Sequence, residues 1–186
     1  AGIYRPHLPW YVPREYFEMF PLESVRLPTT LEDDLDDVPA RATEIAHRGG
    51  NYHEHVLQAD QWQAAVQGYL ASITYADDMV GRLLDALETS PYADDTIVVL
   101  WSDHGWQLGE KEHWRKFALW ENLARSVLFM KVPKATTGLV EGSTPGARTG
   151  RTVSLVDLFP TLLELCGLPQ KPGLDGHSLV PLLRDC

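Results

Sequence analysis

Cysteine is almost absent, with only Cys166 and Cys186 in 186 residues. That excludes a disulfide framework and a cysteine-rich zinc cluster. Cys166 falls in an apolar helical pattern and is expected to fill core, while Cys186 is the last residue and has no sequence context. No apolar run approaches the roughly 20 residues of a membrane-spanning helix, and nothing at the start has the order of a signal peptide. The first residue is Ala1 rather than Met, so the missing signal fixes no compartment. Basic residues are also few, 16 against 26 acidic ones, and the formal charge of −10 argues against a general nucleic-acid binder. An anionic ligand would need a local cationic pocket or a metal to overcome that field. Internal repeats and low-complexity tracts are absent. The length fits one domain with a sizeable core.

The chemistry concentrates in residues 96–116, TIVVLWSDHGWQLGEKEHWRK. The β-branched and apolar run 96–101 predicts a strand buried on both faces of a mainly parallel sheet, which makes the fold class α/β. It stops at Ser102-Asp103-His104-Gly105, placing a carboxylate and an imidazole at the carboxyl end of a central strand, where open α/β sheets bind ligands. Gly105 permits a sharp turn or a close approach. Asp103 and His104 could hold a metal, His104 could serve as acid or base, and Arg115 or Lys116 could hold an anion. A capping Asp103, a backbone-bonded His104 and a solvated charge cluster form the bland alternative. The buried strand before the pair and the cations after it favour a site.

Around this stretch the chain reads as alternating elements. Three prolines stiffen residues 1–13 and place His7 on a non-helical mount. Residues 14–20 predict two helical turns, and the acidic run within 28–39 predicts a solvated linker because it lacks the EF-hand spacing. HRGGNYHEH at 47–55 predicts a surface loop, so that 28–57 as a whole reads as a surface insertion or linker. Residues 58–89 form the longest periodic element. Trp62, Val66, Tyr69, Ile73, Ala76, Val80, Leu83 and Leu87 share one helical stripe expected to be core, with Gly81 allowing close packing. A turn at 90–95 precedes the strand. A short helix at 117–124, a strand at 126–132, a loop at 134–150 and a helix at 155–165 follow, the last capped by Asp157 and ended by Gly167.

The run SDHGWQLGEKEHWRK resembles the second metal-and-lysine motif of the type I sulfatases, closest to the iduronate-2-sulfatase-like branch. YRPHLPW resembles the family's histidine segment, YLASITYADDMVGRLLDAL its helix before the central strand, and PGLDGHSLVPLL its later aspartate-glycine-x-serine-leucine segment. The resemblance implies an alkaline-phosphatase-like α/β domain that hydrolyses sulfate monoesters with a formylglycine nucleophile. It implies that Asp103 and His104 hold one divalent cation, usually calcium, that Lys116 and His7 are catalytic, and that Lys116, His7 and His104 contact the sulfate. Imidazole suits calcium poorly, which makes Asp103 the firmer ligand of the two. Lys111, five residues before Lys116, is expected to be a silent neighbour. The substrate implied is a sulfated small molecule or glycan, and the compartment is extracytoplasmic.

The family's cysteine-x-proline/alanine-x-arginine motif has no counterpart here, since Cys166 is followed by Gly167-Leu168-Pro169-Gln170. Its paired metal-binding aspartates are missing too. The resemblance therefore implies the later part of a sulfatase catalytic domain, inactive alone. Two competing readings are a phosphodiesterase- or phosphomutase-like member of the alkaline phosphatase superfamily, and a non-catalytic protein binding polyanions through Trp106, Trp114, Arg115 and Lys116.

Overall fold

The computed structural model describes residues 1–48 and 50–185. Gly49, within the 47–55 segment, and Cys186, with the expectation attached to it, lie outside the described residues. The chain divides into two compact units, Ala1–Ala86 with His104–Ser126, and Leu87–Asp103 with Val127–Cys186.

In the first unit the helices are α1 (Arg14–Glu18), α2 (Ala40–Ala46), α3 (Tyr52–Gln58), nearly all of α4 (Trp62–Glu88) and α5 (Glu121–Ala124). α4 forms where the periodic pattern predicts it, but the stripe is only partly core. Val66, Gly68, Ala71 and Ser72 are buried, whereas Ile73 and Leu83 are 41% and 49% exposed. Periodicity locates an apolar face without showing how far its neighbours reach along it. Close packing falls at Gly68, where an added Cβ would stand 3.1 Å from the Trp10 ring, and not at Gly81, which has open space around it. Tyr16 of α1 is buried against α4 and donates to Asp78 over 2.6 Å.

Within 47–55, the expected loop, residues 52–55 are instead helical and belong to α3. α2 ends at His47, and Asn51 caps α3 by accepting the Glu54 N–H over 3.1 Å, so His53 and His55 are helical. The acidic run is not fully solvated either. Asp34 is buried and paired with Lys111, because a carboxylate can leave water when a cation and backbone donors replace it.

The second unit has β1 (Val98–Trp101) and β4 (Leu128–Lys131), then α6 (Leu158–Leu165) and α7 (Val180–Arg184). The α/β class holds, but the pairing differs from the parallel sheet expected. β1 pairs with β4 antiparallel, Val98 opposite Lys131 and Trp101 opposite Leu128. Leu100 and Trp101 are exposed, so β1 is not buried on both faces. An apolar run identifies a strand and leaves its partner and direction open. Val132, Leu139, Leu165 and Val180 form the core of this unit.

α6 ends as expected at Gly167, φ +64. Asp157 holds the N-cap position as expected, but its side chain makes no bond to α6 and instead reaches back over a short 3-10 turn to accept the Ser154 N–H over 2.8 Å. The same carboxylate accepts the His177 N–H, and the two bonds hold its pKa below the ordinary aspartate value. Cys166 is exposed at the end of α6 instead of filling core, because the helix turns it outward one residue after the buried Leu165. Among the described residues, no helix is long and apolar enough to cross a membrane.

Candidate active site

The first unit brings His7 and Lys116 together across 109 residues of sequence. Lys116 Nζ lies 3.1 Å from His7 Nε2. The other ring nitrogen of His7 is engaged locally: Nδ1 lies 2.8 Å from the Leu8 carbonyl, which can only accept, so Nδ1 carries the hydrogen. Nε2 of neutral His7 is then a lone pair that accepts from the Lys116 ammonium. Tyr4 braces the same turn by donating to the Leu8 carbonyl over 2.6 Å.

Trp106 is the hub on which both histidines rest. Its ring lies nearly parallel to His104 at 6.2 Å and edge-on to His7 at 5.2 Å, with Tyr69 of α4 stacked at 6.2 Å. Trp106 is 8% exposed, and its Nε1 has no hydrogen-bond partner among the described residues. His104 Nδ1 lies 2.8 Å from the Gly105 carbonyl and must donate to it, which leaves Nε2 as its lone pair. Gly105 is required by close approach: an added Cβ would stand 1.8 Å from the Asn122 carbonyl oxygen, at the start of α5.

Lys116 follows a two-stranded ribbon of β2 (Gln107–Leu108) and β3 (Trp114–Arg115). Gly109, φ +122, turns the chain under the Trp62 ring, 2.7 Å from where its Cβ would be. Trp62 Nε1 donates to the Leu108 carbonyl over 2.7 Å, and Trp114 Nε1 donates to His53 Nδ1 over 3.1 Å. Burial pushes the His53 pKa down, consistent with a neutral acceptor.

Among the described residues, Lys111 is tied to the acidic run and not to the candidate site residues. Its ammonium donates to the Asp34 carbonyl over 2.6 Å and lies 2.9 Å from the Asp37 carboxylate and 3.1 Å from that of Asp34. Its backbone N–H donates to the second Asp34 oxygen over 3.0 Å. The bond to Asp37, with those to Asp34, raises the Lys111 pKa despite burial. Burial pushes Asp34 up, but the backbone and side-chain bonds from Lys111 outweigh it and hold Asp34 below its ordinary value. Together with the 2.9 Å pair between His47 and Glu112, these contacts dock residues of the 28–57 segment on the site loop.

Asp103 is exposed and closes the second unit's first segment, while His104 opens the next segment of the first unit. Among the described residues, no group of three or more His, Cys, Asp or Glu side chains could hold a metal ion. Calcium takes six to eight oxygens, so by chemistry the Asp103 carboxylate suits it and the His104 imidazole does not.

Sequence reasoning singled out His7, Asp103, His104 and Lys116, of which the structure gathers His7, His104 and Lys116 in the first unit and assigns Asp103 to the second. It passed over Trp106 as a support, although its fixed place two residues after His104 was a usable signal. It also passed over Asp34 and His113, for which no local signal existed.

The sulfatase family model matches residues 3–168. A sulfatase of Formosa agariphila is 39% identical over 184 residues, covering 98% of this chain and 35% of the relative. Human iduronate 2-sulfatase is 32% identical over 212 residues, covering all of this chain and 38% of the relative. Among solved structures, the phosphonate monoester hydrolase of Agrobacterium radiobacter, 26% identical, superposes over 97% of this chain and 37% of its own with a TM-score of 0.67. The expected alkaline-phosphatase-like α/β fold is thus the one its solved neighbour has. The chain spans little more than a third of the length of these two curated relatives. With a family match over most of its length and sulfatase relatives aligned from end to end, this chain belongs to the sulfatase family.

Proposed function

We propose that this chain forms the later part of a sulfatase catalytic domain, in a longer enzyme that hydrolyses a sulfate monoester on a sulfated sugar. The observation that carries the reading is the 3.1 Å approach of Lys116 Nζ to His7 Nε2, with His7 and His104 both in ring contact with Trp106. The human relative, as its name states, acts on an iduronate 2-sulfate, and a related ester is the substrate class proposed here.

By resemblance, a formylglycine and a divalent cation, usually calcium, would supply the attacking oxygen and neutralise charge on the sulfuryl group. Cys166, exposed and without the following proline or arginine, does not fit the formylglycine position. Asp103 would be the chief ligand this chain contributes to the cation, with His104 Nε2 beside it or turned to the sulfate. Lys116 keeps donors beyond the one directed at His7 and presents them to the sulfuryl oxygens, where charge grows as the ester bond breaks. His7 donates to the sulfate or the leaving oxygen only when it takes a second proton at Nε2, because Nδ1–H is committed to Leu8. Residues 28–57 act as an insertion that docks on the loop carrying Lys116. The compartment proposed is extracytoplasmic.

In the full-length enzyme, Lys116→Ala is expected to lower kcat on the order of 100- to 1000-fold with a much smaller change in KM. Steady-state kinetics on an aryl sulfate and a sulfated sugar check this, and an unchanged kcat would remove Lys116 from the site. The phosphonate hydrolase neighbour favours a second reading, phosphonate or phosphate ester hydrolysis. A kcat/KM higher for a phosphonate monoester than for the sulfate would establish it.

A further inference from the structure

The backbone that presents Lys116 is held in an unusual form by one buried imidazole. His113 is 5% exposed, and its Nε2 lies 2.8 Å from the Lys116 carbonyl oxygen. A carbonyl only accepts, so Nε2 carries the hydrogen, and the other nitrogen, Nδ1, is buried with no hydrogen-bond partner among the described residues. His113 is itself fixed: its N–H donates to the Glu110 carbonyl over 3.0 Å, and its carbonyl accepts the Gly109 N–H over 3.0 Å. On either side of Lys116 the chain is left-handed, with φ +75 at Arg115 and +76 at Phe117. Residues with a Cβ persist in that region only where surrounding structure over-determines them. Phe117 is 72% exposed, so burial of its side chain does not hold this turn. Among the described residues, the His113 bond is the side-chain hydrogen bond to the Lys116 carbonyl.

We propose that His113 is a positioning residue, whose Nε2–H fixes the Lys116 carbonyl between two left-handed residues and so aims the Lys116 ammonium at His7 Nε2. This rests on the reading that Lys116 acts on the sulfate ester. A histidine that merely fills core would be replaced by any apolar side chain of similar size. A positioning donor would not.

The test uses the full-length enzyme with His113→Met, His113→Gln and, as reference, Lys116→Ala. His113→Met fills the space and donates nothing, and it is expected to lower kcat about 10- to 100-fold with KM changed less, the scale of a misplaced catalytic group. His113→Gln restores a donor near the same place and is expected to recover most of that loss. The double variant His113→Met/Lys116→Ala should be no slower than Lys116→Ala alone. Wild-type kcat in His113→Met, or no recovery in His113→Gln, overturns the proposal. If Lys116→Ala itself keeps wild-type kcat, the reading of the site fails first, and the two failures are thereby distinct. Imidazole nitrogen NMR on the unsubstituted enzyme tests the contact without a variant: the Nε2–H tautomer is expected at His113, and an Nδ1–H tautomer refutes it.

Discussion

Lys111 and Lys116 are five residues apart and hold opposite jobs. Lys116 points at an imidazole lone pair, while Lys111 is consumed by Asp34 and Asp37. Removing Lys111 leaves the Asp34 carboxylate buried without its partner, a worse state than losing both groups. Lys111→Ala is therefore expected to lower the melting temperature, Asp34→Asn to do the same, and the double variant to lie near the worse single one. The pH dependence has a definite sign. Asp34 is held below its ordinary value, so its contribution is present above about pH 4 and is lost as pH falls through its folded pKa. Lys111 is raised, so its contribution is present below about pH 10 and fades as pH rises through its folded pKa. The gap in melting temperature between the native chain and Lys111→Ala should be level near neutrality and shrink toward pH 3. A gap that persists unchanged in acid would mean the ion pair is not its source. None of this was readable beforehand, since Asp34 and Lys111 are separated by 76 intervening residues and each has an unremarkable local pattern.

At the scale of elements, what depends on near neighbours was legible and what depends on distant ones was not. α4, β4 and the end of α6 at Gly167 lie where apolar periodicity and chain-breaking residues put them. The antiparallel partnership of β1 and β4 joins segments about thirty residues apart, and no local pattern encodes its direction. α3 was hidden because histidines and flanking glycines look like loop until Asn51 is seen to cap it. His7, His104 and Lys116 stood out by their motifs and lie in one unit, whereas the left-handed backbone at Lys111, Glu112, Arg115 and Phe117 leaves no mark in residue type. Gly105 joins the two levels: its missing side chain lets the segment carrying His104 and Trp106 meet α5. Gly105→Ala must move one or the other, at a cost of about 1–3 kcal/mol as in other overpacked sites. Calorimetry should show the lower melting temperature and kinetics a reduced kcat in the full-length enzyme, and a variant unchanged in both would show that the contact with Asn122 is dispensable.

For the whole molecule, the proposed site of Lys116, His7 and His104 comes without a cysteine in the formylglycine motif among these 186 residues. The 186-residue chain alone is expected to give no turnover of an aryl sulfate. Turnover by the purified chain, abolished by changing one of its own residues, would require a nucleophile that the family does not use. The net charge of −10 makes the local arrangement matter more, since on the proposed reading Lys116 attracts an anion within an acidic molecule.

The division into units also sets an order of synthesis. The chain leaves the first unit after Ala86, spends Leu87–Asp103 in the second, returns for His104–Ser126, and then continues in the second from Val127. A ribosome has delivered every residue of the first unit once Ser126 has emerged, but the second must wait for its remaining sixty residues. His7 and Lys116 can therefore meet while β1 still lacks β4. During that interval the exposed strand β1, with Leu100 and Trp101 on it, has no partner and is the segment a nascent-chain chaperone would meet.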